Sequence, residues 1–590
     1  MLLDSKTSRI YEKENILWNI FNLKILLSVN LQESNLNMKQ YSSKRSIQIL
    51  AYILEEYGIF DVIISPGSRN APLAVHFSES DAFNSYSIVD ERSAAFVGLG
   101  MAKCLKKPVA ITCTSGSAAA NYYPAVTEAF YQNVPLLILT ADRPASFVDI
   151  FDGQTIRQKD LYQQHSYGDF QLLEDSEENA DDENFAIIKK AIEVCFEKQG
   201  PVHINIPLAE PLYELVSELP TFPAIEKTIR KKSYDLPSTL VAEWNLAKRI
   251  MILVGTRDYS EELEMQLTQL VKNHSVVILT EATSNIKHEK FFSHIDRYIF
   301  NFQEEDMQTY APDLILTVGQ NVVSKKIKQF LRKAKPKNHW HIDEVWQPDT
   351  FFALTEKIET KPEVFFNKLL NQVRLEPSAY FNLWDVLRDK KDAKHTDYCL
   401  QTPFSDFKFF EILAQKLPEN IKVHFSNSSA IRYAQLFDFK NTMYCNRGTS
   451  GIDGSTSTAM GYAMKNEGQT LLVSGDLSFF YDINGLWNNY IPPYTRIIVF
   501  NNGGGDIFKI IPGPTSTNAL DEFILTKHHK TAEHLAAHFG FSYTIVEDEL
   551  TLSRVLDNFF KTDIKPKILE IDTAEIENSA VLKGYFEFLK

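Results

Sequence analysis

Two short apolar runs, Leu471-Leu-Val-Ser-Gly-Asp476 and Arg496-Ile-Ile-Val-Phe-Asn-Asn502, each stop at a polar side chain. Runs of this length fit strands covered on both faces better than helices. The segment between them, Tyr481 to Tyr490, can supply the crossover helix of a βαβ unit. Both polar residues then fall at the carboxyl edge of a parallel sheet, where open α/β folds bind ligands. A carboxylate and a carboxamide are hard oxygen donors, suited to Mg²⁺ that keeps substrate phosphates in its coordination sphere. The glycines after Asn502 let backbone approach a phosphate closely. The pair predicts a magnesium-diphosphate site. The competing reading makes Asp476 a helix cap and Asn501-Asn502-Gly503 a turn.

The same alternation of apolar runs and helical segments recurs in three blocks, which predicts an α/β fold of three doubly wound parallel-sheet domains. Residues 38–218 form the first, with strands expected at Phe60–Ile64, Ser87–Val89, Val109–Cys113, Leu136–Leu139 and Val202–Ile206. Within it the acidic stretch Glu174–Asn184 reads as an exposed loop. Leu219–Ser238 reads as a linker into a central block, residues 219–395, with strands at Ile250–Val254, Val276–Leu279, Leu314–Val318 and Trp340–Ile342. The charged stretch Arg388–His395 marks the next boundary. Residues 396–590 make the last block, with strands at Val423–Phe425, Met443–Cys445, Leu471–Val473, Ile497–Phe500 and Ile568–Ile571. The architecture looks repeated, although no internal sequence repeat is visible.

A chain of 590 residues, 44% of them apolar, can bury cores of this size. Its net charge of −15 argues against a nucleic-acid or anionic-membrane surface. The five cysteines are scattered with no CxxC pair, as in a reduced, cytoplasmic protein without a zinc frame. No apolar stretch reaches the length of a membrane span; Ile16–Val29 is broken by Asn19, Asn22 and Lys24. Residues 1–37 read as an upstream-start extension or a loosely attached segment, with no functional role assigned.

The first block carries Ser65-Pro-Gly-Ser68-Arg69-Asn, Asp90-Glu91-Arg92-Ser-Ala-Ala-Phe, Thr114-Ser-Gly-Ser-Ala-Ala-Ala-Asn and Thr140-Ala-Asp-Arg143-Pro. The last carries Asn446-Arg447-Gly-Thr-Ser-Gly-Ile452-Asp-Gly and Gly475-Asp476-Leu-Ser. In this order, from about Met38 to the C-terminus, they resemble the thiamin-diphosphate-dependent 2-succinyl-5-enolpyruvyl-6-hydroxy-3-cyclohexene-1-carboxylate synthase family of menaquinone biosynthesis. The resemblance implies a pyrimidine-binding domain first, a central domain without a cofactor, and a diphosphate-binding domain last. It also implies a homodimer or dimer of dimers, with each cofactor held between the first domain of one subunit and the third of another. The implied reaction decarboxylates 2-oxoglutarate and adds the resulting succinyl-semialdehyde carbanion to isochorismate in a 1,4 sense.

On its own Glu91 reads as a helix-start carboxylate favoured by the macrodipole. By resemblance it hydrogen-bonds the cofactor's aminopyrimidine ring and is the catalytic residue. Gly475, Asp476, Asn502, Ile452 and Phe508 are implied cofactor contacts, with Ile452 as the wedge that bends it. Asp476, Asn502 and the Gly504 carbonyl are the implied ligands of Mg²⁺, with Mn²⁺ as an alternative. Both substrates are dianions, and arginine pairs with carboxylates in two-point fashion. Ser428, Arg432 and Arg447 are the expected contacts of 2-oxoglutarate; Ser428 and Arg432 are four apart, on one helical face. Ser68, Arg69, Arg143, Gln154 and Lys325 are the expected contacts of isochorismate, Lys325 competing with its neighbours Lys326 and Lys328. His528-His529 resembles the paired histidines of pyruvate decarboxylase but falls near the C-terminus and not in the first domain, so it is discounted; His534 and His538, four apart with no partner carboxylate motif, read as helix surface. The alternative reading is another thiamin carboligase or decarboxylase of the acetohydroxyacid synthase type.

Overall fold

Strands such as Val109–Cys113 and Ile250–Val254 are buried along their whole length, as the inner strands of a parallel sheet covered by helices on both faces must be. The structure, a computed structural model, describes residues 39–227, 233–510 and 513–590, so the segment 1–37 lies outside the described residues. It contains three parallel sheets. The first orders its strands Asn84–Ser87, Asp61–Ile64, Val109–Cys113, Leu136–Asp142, Val202–Pro207, Asp169–Gln171. The third runs Met443–Cys445, Lys422–Phe425, Thr470–Gly475, Arg496–Asn501, Lys567–Asp572, Ser542–Val546. Numbered along the chain, both follow the order 2-1-3-4-6-5, so the repeat expected from the block pattern is a repeat of topology. The central sheet has five strands: Val277–Thr280, Ile250–Val254, Leu314–Val318, Asn338–Ile342 and Glu356–Ile358.

Several local expectations change. The strand read at Ser87–Val89 is Asn84–Ser87, and Val89 is exposed in the turn before the Glu91 helix. Asp169–Gln171, Glu356–Ile358 and Ser542–Val546 are additional edge strands. The acidic stretch read as a loop already enters the helix Ala180–Lys198. The helix expected at Tyr481 to Tyr490 begins at Asp476 instead: Asp476–Tyr481 is a short α-helix, followed by a 3₁₀ turn at Ile483–Leu486. Arg388–His395 lies inside the 23-residue helix Ala379–Gln401, so the central and third sheets are joined by a helix, not by a loop.

The first and third domains are welded by two crossing helices, Glu91–Leu105 and Ser455–Lys465. Their backbones touch: a Cβ on Gly100 would stand 2.0 Å from the Thr458 carbonyl oxygen, and one on Gly461 2.0 Å from that of Val97. Only glycine permits this approach. The crossing fixes the start of the Glu91 helix against the third domain.

Buried imidazoles tune the response of the fold to acid. Burial holds His76 and His339 down at about 4, whereas the unfolded chain protonates them near the ordinary value of 6.5. As pH falls the unfolded state takes up protons first, so stability is lost between pH 6.5 and about 4. Each group removes about 3 kcal/mol across that window. A His339→Gln variant is therefore expected to lose less apparent melting temperature than the wild type between pH 6.5 and 5. An equal loss in the two proteins contradicts this account.

Candidate active site

At the carboxyl edge of the third sheet, Gly475 ends one strand and Asp476 opens a helix, its carboxylate 3% exposed. Its Oδ2 accepts the Gly504 N–H at 2.8 Å and its Oδ1 the Leu477 N–H at 2.6 Å. Asn502 follows the adjacent strand. Its Nδ2 donates to Asp406 Oδ2 at 2.9 Å, while its Oδ1 is buried with no hydrogen-bond partner. An unpartnered buried oxygen is costly unless something else satisfies it. Gly503 and Gly504 take φ of +74° and +151°, and a Cβ on Gly504 would come within 2.7 Å of the Leu525 carbonyl oxygen. One carboxylate oxygen pair, one free amide oxygen and a glycine backbone therefore converge, a donor set that fits a hard divalent cation carrying a diphosphate. Among the described residues no group of three or more His, Cys, Asp or Glu side chains could hold a metal. This set contains a single carboxylate and relies on neutral oxygens.

Two residues at this edge went unread in the sequence. Asp406 is buried and accepts from Asn502 and from Thr573 Oγ1, 2.7 Å. Burial, opposed by those hydrogen bonds, raises its carboxyl to about 7. By taking the Asn502 N–H it turns the amide oxygen outward. His528, discounted as a motif residue, places Nε2 3.1 Å from Asp476 Oδ2, without hydrogen-bond alignment. Its backbone N–H donates to the Gly503 carbonyl at 3.1 Å, bringing the segment before it across the edge.

Glu91 is the first residue of its helix, yet Asp90 does the capping. Asp90 Oδ1 accepts the Ser93 N–H at 3.1 Å, and Oδ2 accepts from Asn484 of the third domain at 2.7 Å. Arg92 stacks 4.7 Å from the Tyr481 ring centroid and donates to the Tyr481 carbonyl. Between these two anchored neighbours the half-buried Glu91 carboxylate makes no hydrogen bond or ion pair among the described residues. Burial raises the Cys113 thiol and the Tyr122 hydroxyl, and the nearby Glu91 charge adds to both shifts. These bonds join the Glu91 helix to the elements following Asp476 within one chain.

The expected donor-side residues are brought together. Ser428 precedes the helix Ser429–Ala434 with φ +70°, and Arg432 donates back to its carbonyl at 3.1 Å. Burial and then the charge of Arg447 lower Arg432. Arg447 donates to Asn427 Oδ1 at 2.9 Å and leaves a buried Nε unpartnered. Ile452, a large apolar side chain, is 38% exposed here, and its carbonyl accepts from Ser478 Oγ at 2.7 Å. Phe508 sits half-buried beside Gly505.

On the first domain Arg69 and Arg143 are neighbours. Burial lowers Arg69, and the Arg143 charge lowers it further. Arg69 donates to the Leu208 carbonyl at 2.8 Å and pairs with Glu210 at 3.2 Å; Arg143 pairs with Asp152 at 3.1 Å. Each retains an unpartnered buried Nε. Ser68 is exposed at the same turn, and the exposed Gln154 gives its carbonyl to Ser115 Oγ at 2.8 Å. Lys325 is exposed at the first turn of the helix Lys325–Ala334, and Lys328, half-buried on the same helix, is lowered by burial, with Glu281 opposing and Arg447 adding to the shift. The central domain's Glu281 is fully buried and raised to about 7 by that burial, against backbone hydrogen bonds from Ser324 and Val323. A cleft of about 330 Å³ between the central and third domains, bordered by Glu281 and Asp438, contains neither Glu91 nor Asp476.

Comparison with known proteins bears on this geometry. The family described as "Thiamine pyrophosphate enzyme, N-terminal TPP binding domain" matches residues 45–169, and "Middle domain of thiamine pyrophosphate" matches residues 225–420. A 2-succinyl-5-enolpyruvyl-6-hydroxy-3-cyclohexene-1-carboxylate synthase of Flavobacterium johnsoniae is 45% identical over 548 residues, covering 92% of this chain and 98% of the relative. The same-named protein of Porphyromonas gingivalis is 37% identical, covering 93% and 98%. Among solved structures, benzoylformate decarboxylase from Polynucleobacter necessarius superimposes with a TM-score of 0.67 at 14% identity, over 89% of this chain and 98% of the other. A putative thiamin diphosphate-dependent enzyme from Mycobacterium smegmatis gives 0.63 at 15%, over 90% and 99%. These two speak for the fold alone.

Proposed function

The chain belongs to the 2-succinyl-5-enolpyruvyl-6-hydroxy-3-cyclohexene-1-carboxylate synthase family, and we propose that it joins 2-oxoglutarate to isochorismate, with release of CO₂, in menaquinone biosynthesis. The observation that carries this reading is the buried, unpartnered Asn502 Oδ1 beside the Asp476 carboxylate and a positive-φ glycine turn at the carboxyl edge of the third sheet, with the Glu91 carboxylate left unbonded at the start of its own helix. When bound, thiamin diphosphate supplies the carbanion chemistry, and the protein supplies geometry and charge.

Glu91 would share a proton with the aminopyrimidine ring. Asp476, the free Asn502 Oδ1 and the Gly504 carbonyl would hold Mg²⁺ or Mn²⁺, with Gly475 against the diphosphate. Ile452 and Phe508 would fill space around the cofactor and exclude water, which strengthens every charge interaction inside. Arg432 and Arg447, with Ser428, would clamp 2-oxoglutarate. Arg69 and Arg143, with Ser68, Gln154 and Lys325, would receive isochorismate. Two arginine pairs suit two dianions, whereas a pyruvate-using carboligase of the acetohydroxyacid synthase type needs one carboxylate contact on the donor side. Among the described residues no helix is long and apolar enough to cross a membrane, in keeping with a cytoplasmic enzyme. We place the active unit as a homodimer or dimer of dimers.

The deciding experiment is mass spectrometry of the product formed from isochorismate and 2-oxoglutarate, with and without Mg²⁺. The expected product is the succinylated cyclohexene carboxylate with one CO₂ per turnover. CO₂ release from pyruvate but not from 2-oxoglutarate overturns the assignment.

A further inference from the structure

The loop Asn446–Asp453 carries both Arg447 and Ile452, and all three domains hold it. Asn427 of the third domain donates to the carbonyls of Asn446 at 2.6 Å and Gly451 at 2.7 Å. Asn321 of the central domain donates to the Arg447 carbonyl at 2.7 Å. The first domain contributes Glu128, from the helix Tyr123–Gln132, a carboxylate only 1% exposed. Its Oε1 accepts the Gly448 N–H and its Oε2 the Thr449 N–H, each at 2.7 Å, and Thr449 Oγ1 donates to Oε2 as well. Gln132 adds a short amide contact on Oε1, and Lys103 donates to Gln132 from beneath. The fit is close: a Cβ on Gly448 would stand 2.7 Å from the Glu128 carbonyl oxygen.

Two consecutive backbone N–H groups can meet one carboxylate only if the chain between them takes a single conformation, and Arg447 is the residue immediately before. Ile452 is anchored separately, through Asn427 and Ser478. We propose that Glu128 is a positioning residue: a clasp reaching from the first domain that aims Arg447 at the far carboxylate of the 2-oxo acid donor. This deepens the functional reading given above and rests on it.

Glu128→Gln keeps the shape but offers one acceptor oxygen where two are used, so an amide NH₂ must face a backbone N–H or the Thr449 hydroxyl. For a clasp that aims Arg447, kcat/KM for 2-oxoglutarate falls about 10–100-fold, the range that one or two unsatisfied buried donors correspond to. For 2-oxobutyrate, which lacks the far carboxylate, it changes less than about threefold, since Arg447 has nothing there to hold. Hydrogen exchange at the Gly448 and Thr449 amides speeds up, with the rest of the third sheet unchanged. Equal losses for both acids, or unchanged exchange in this loop, overturn the proposal. Should Glu128→Gln fail to fold, Thr449→Val removes only the hydroxyl donor and is expected to shift the same ratio by a smaller factor; an unshifted ratio overturns the proposal equally. A wild-type enzyme that releases no CO₂ from 2-oxoglutarate refutes the functional reading instead, while the exchange measurement still reports on the clasp.

Discussion

Asp476→Ala is expected to abolish metal-dependent turnover while leaving the fold in place. The side chain is the only carboxylate among the proposed metal ligands, and its oxygens also receive the N–H groups of Gly504 and Leu477. Removing a group that merely supports a metal ligand costs about 10–100-fold in affinity, so losing this ligand should exceed about 10²-fold. Releasing the Gly504 N–H adds about 1–3 kcal/mol of local destabilisation, which loosens the glycine loop but cannot unfold a six-stranded sheet. Mn²⁺ titration followed by electron paramagnetic resonance, in the presence of thiamin diphosphate, reads the affinity directly. Asp476→Asn keeps an oxygen without the charge and should fall between. Wild-type Mn²⁺ affinity in the alanine variant would sink the metal assignment.

Glu91→Gln should lower turnover about 10²–10⁴-fold, the scale of a positioned proton-transfer group, with cofactor affinity changed far less. The isostere keeps the helix start intact, because Asp90 and not Glu91 caps it. Calorimetric binding of thiamin diphosphate near the wild-type value, together with normal melting, separates lost chemistry from lost structure. Near-normal turnover would reject the role. Mixing the two inactive variants then tests the proposed subunit arrangement. In a dimer whose sites pair the first domain of one subunit with the third of the other, a Glu91→Gln and Asp476→Ala hybrid contains one intact site and recovers activity. Sites built within single chains, along the contacts of Asp90 with Asn484, recover none.

The inner strands were legible because they are apolar and continuous; Val109–Cys113, Ile250–Val254 and Leu314–Val318 coincide with their expected spans. Asp169–Gln171 and Ser542–Val546 were not, because edge strands are half exposed and carry polar residues that break the run. Arg388–His395 misled because a helix exposed to solvent on one side is as charged as a linker. At the site, Asp476 and Asn502 could be read from spacing, since each ends its own strand. Asp406 could not, for it meets Asn502 across 96 residues of sequence and belongs to no local pattern. His528 belongs to no local pattern either: only the tertiary path returns it to Asp476.

Because the outer two sheets share one strand order, the chain carries two topologically equivalent sheets, tied covalently through the central sheet. Tethering keeps the two halves at a high effective concentration without requiring them to stay identical. Free of any requirement for symmetry, one edge carries a cation-holding carboxylate and amide while the matching edge carries a solitary acid. The asymmetry of a two-ended coenzyme is met by specialising two equivalent edges, and a shared scaffold of this kind tolerates divergence at one without rebuilding the other.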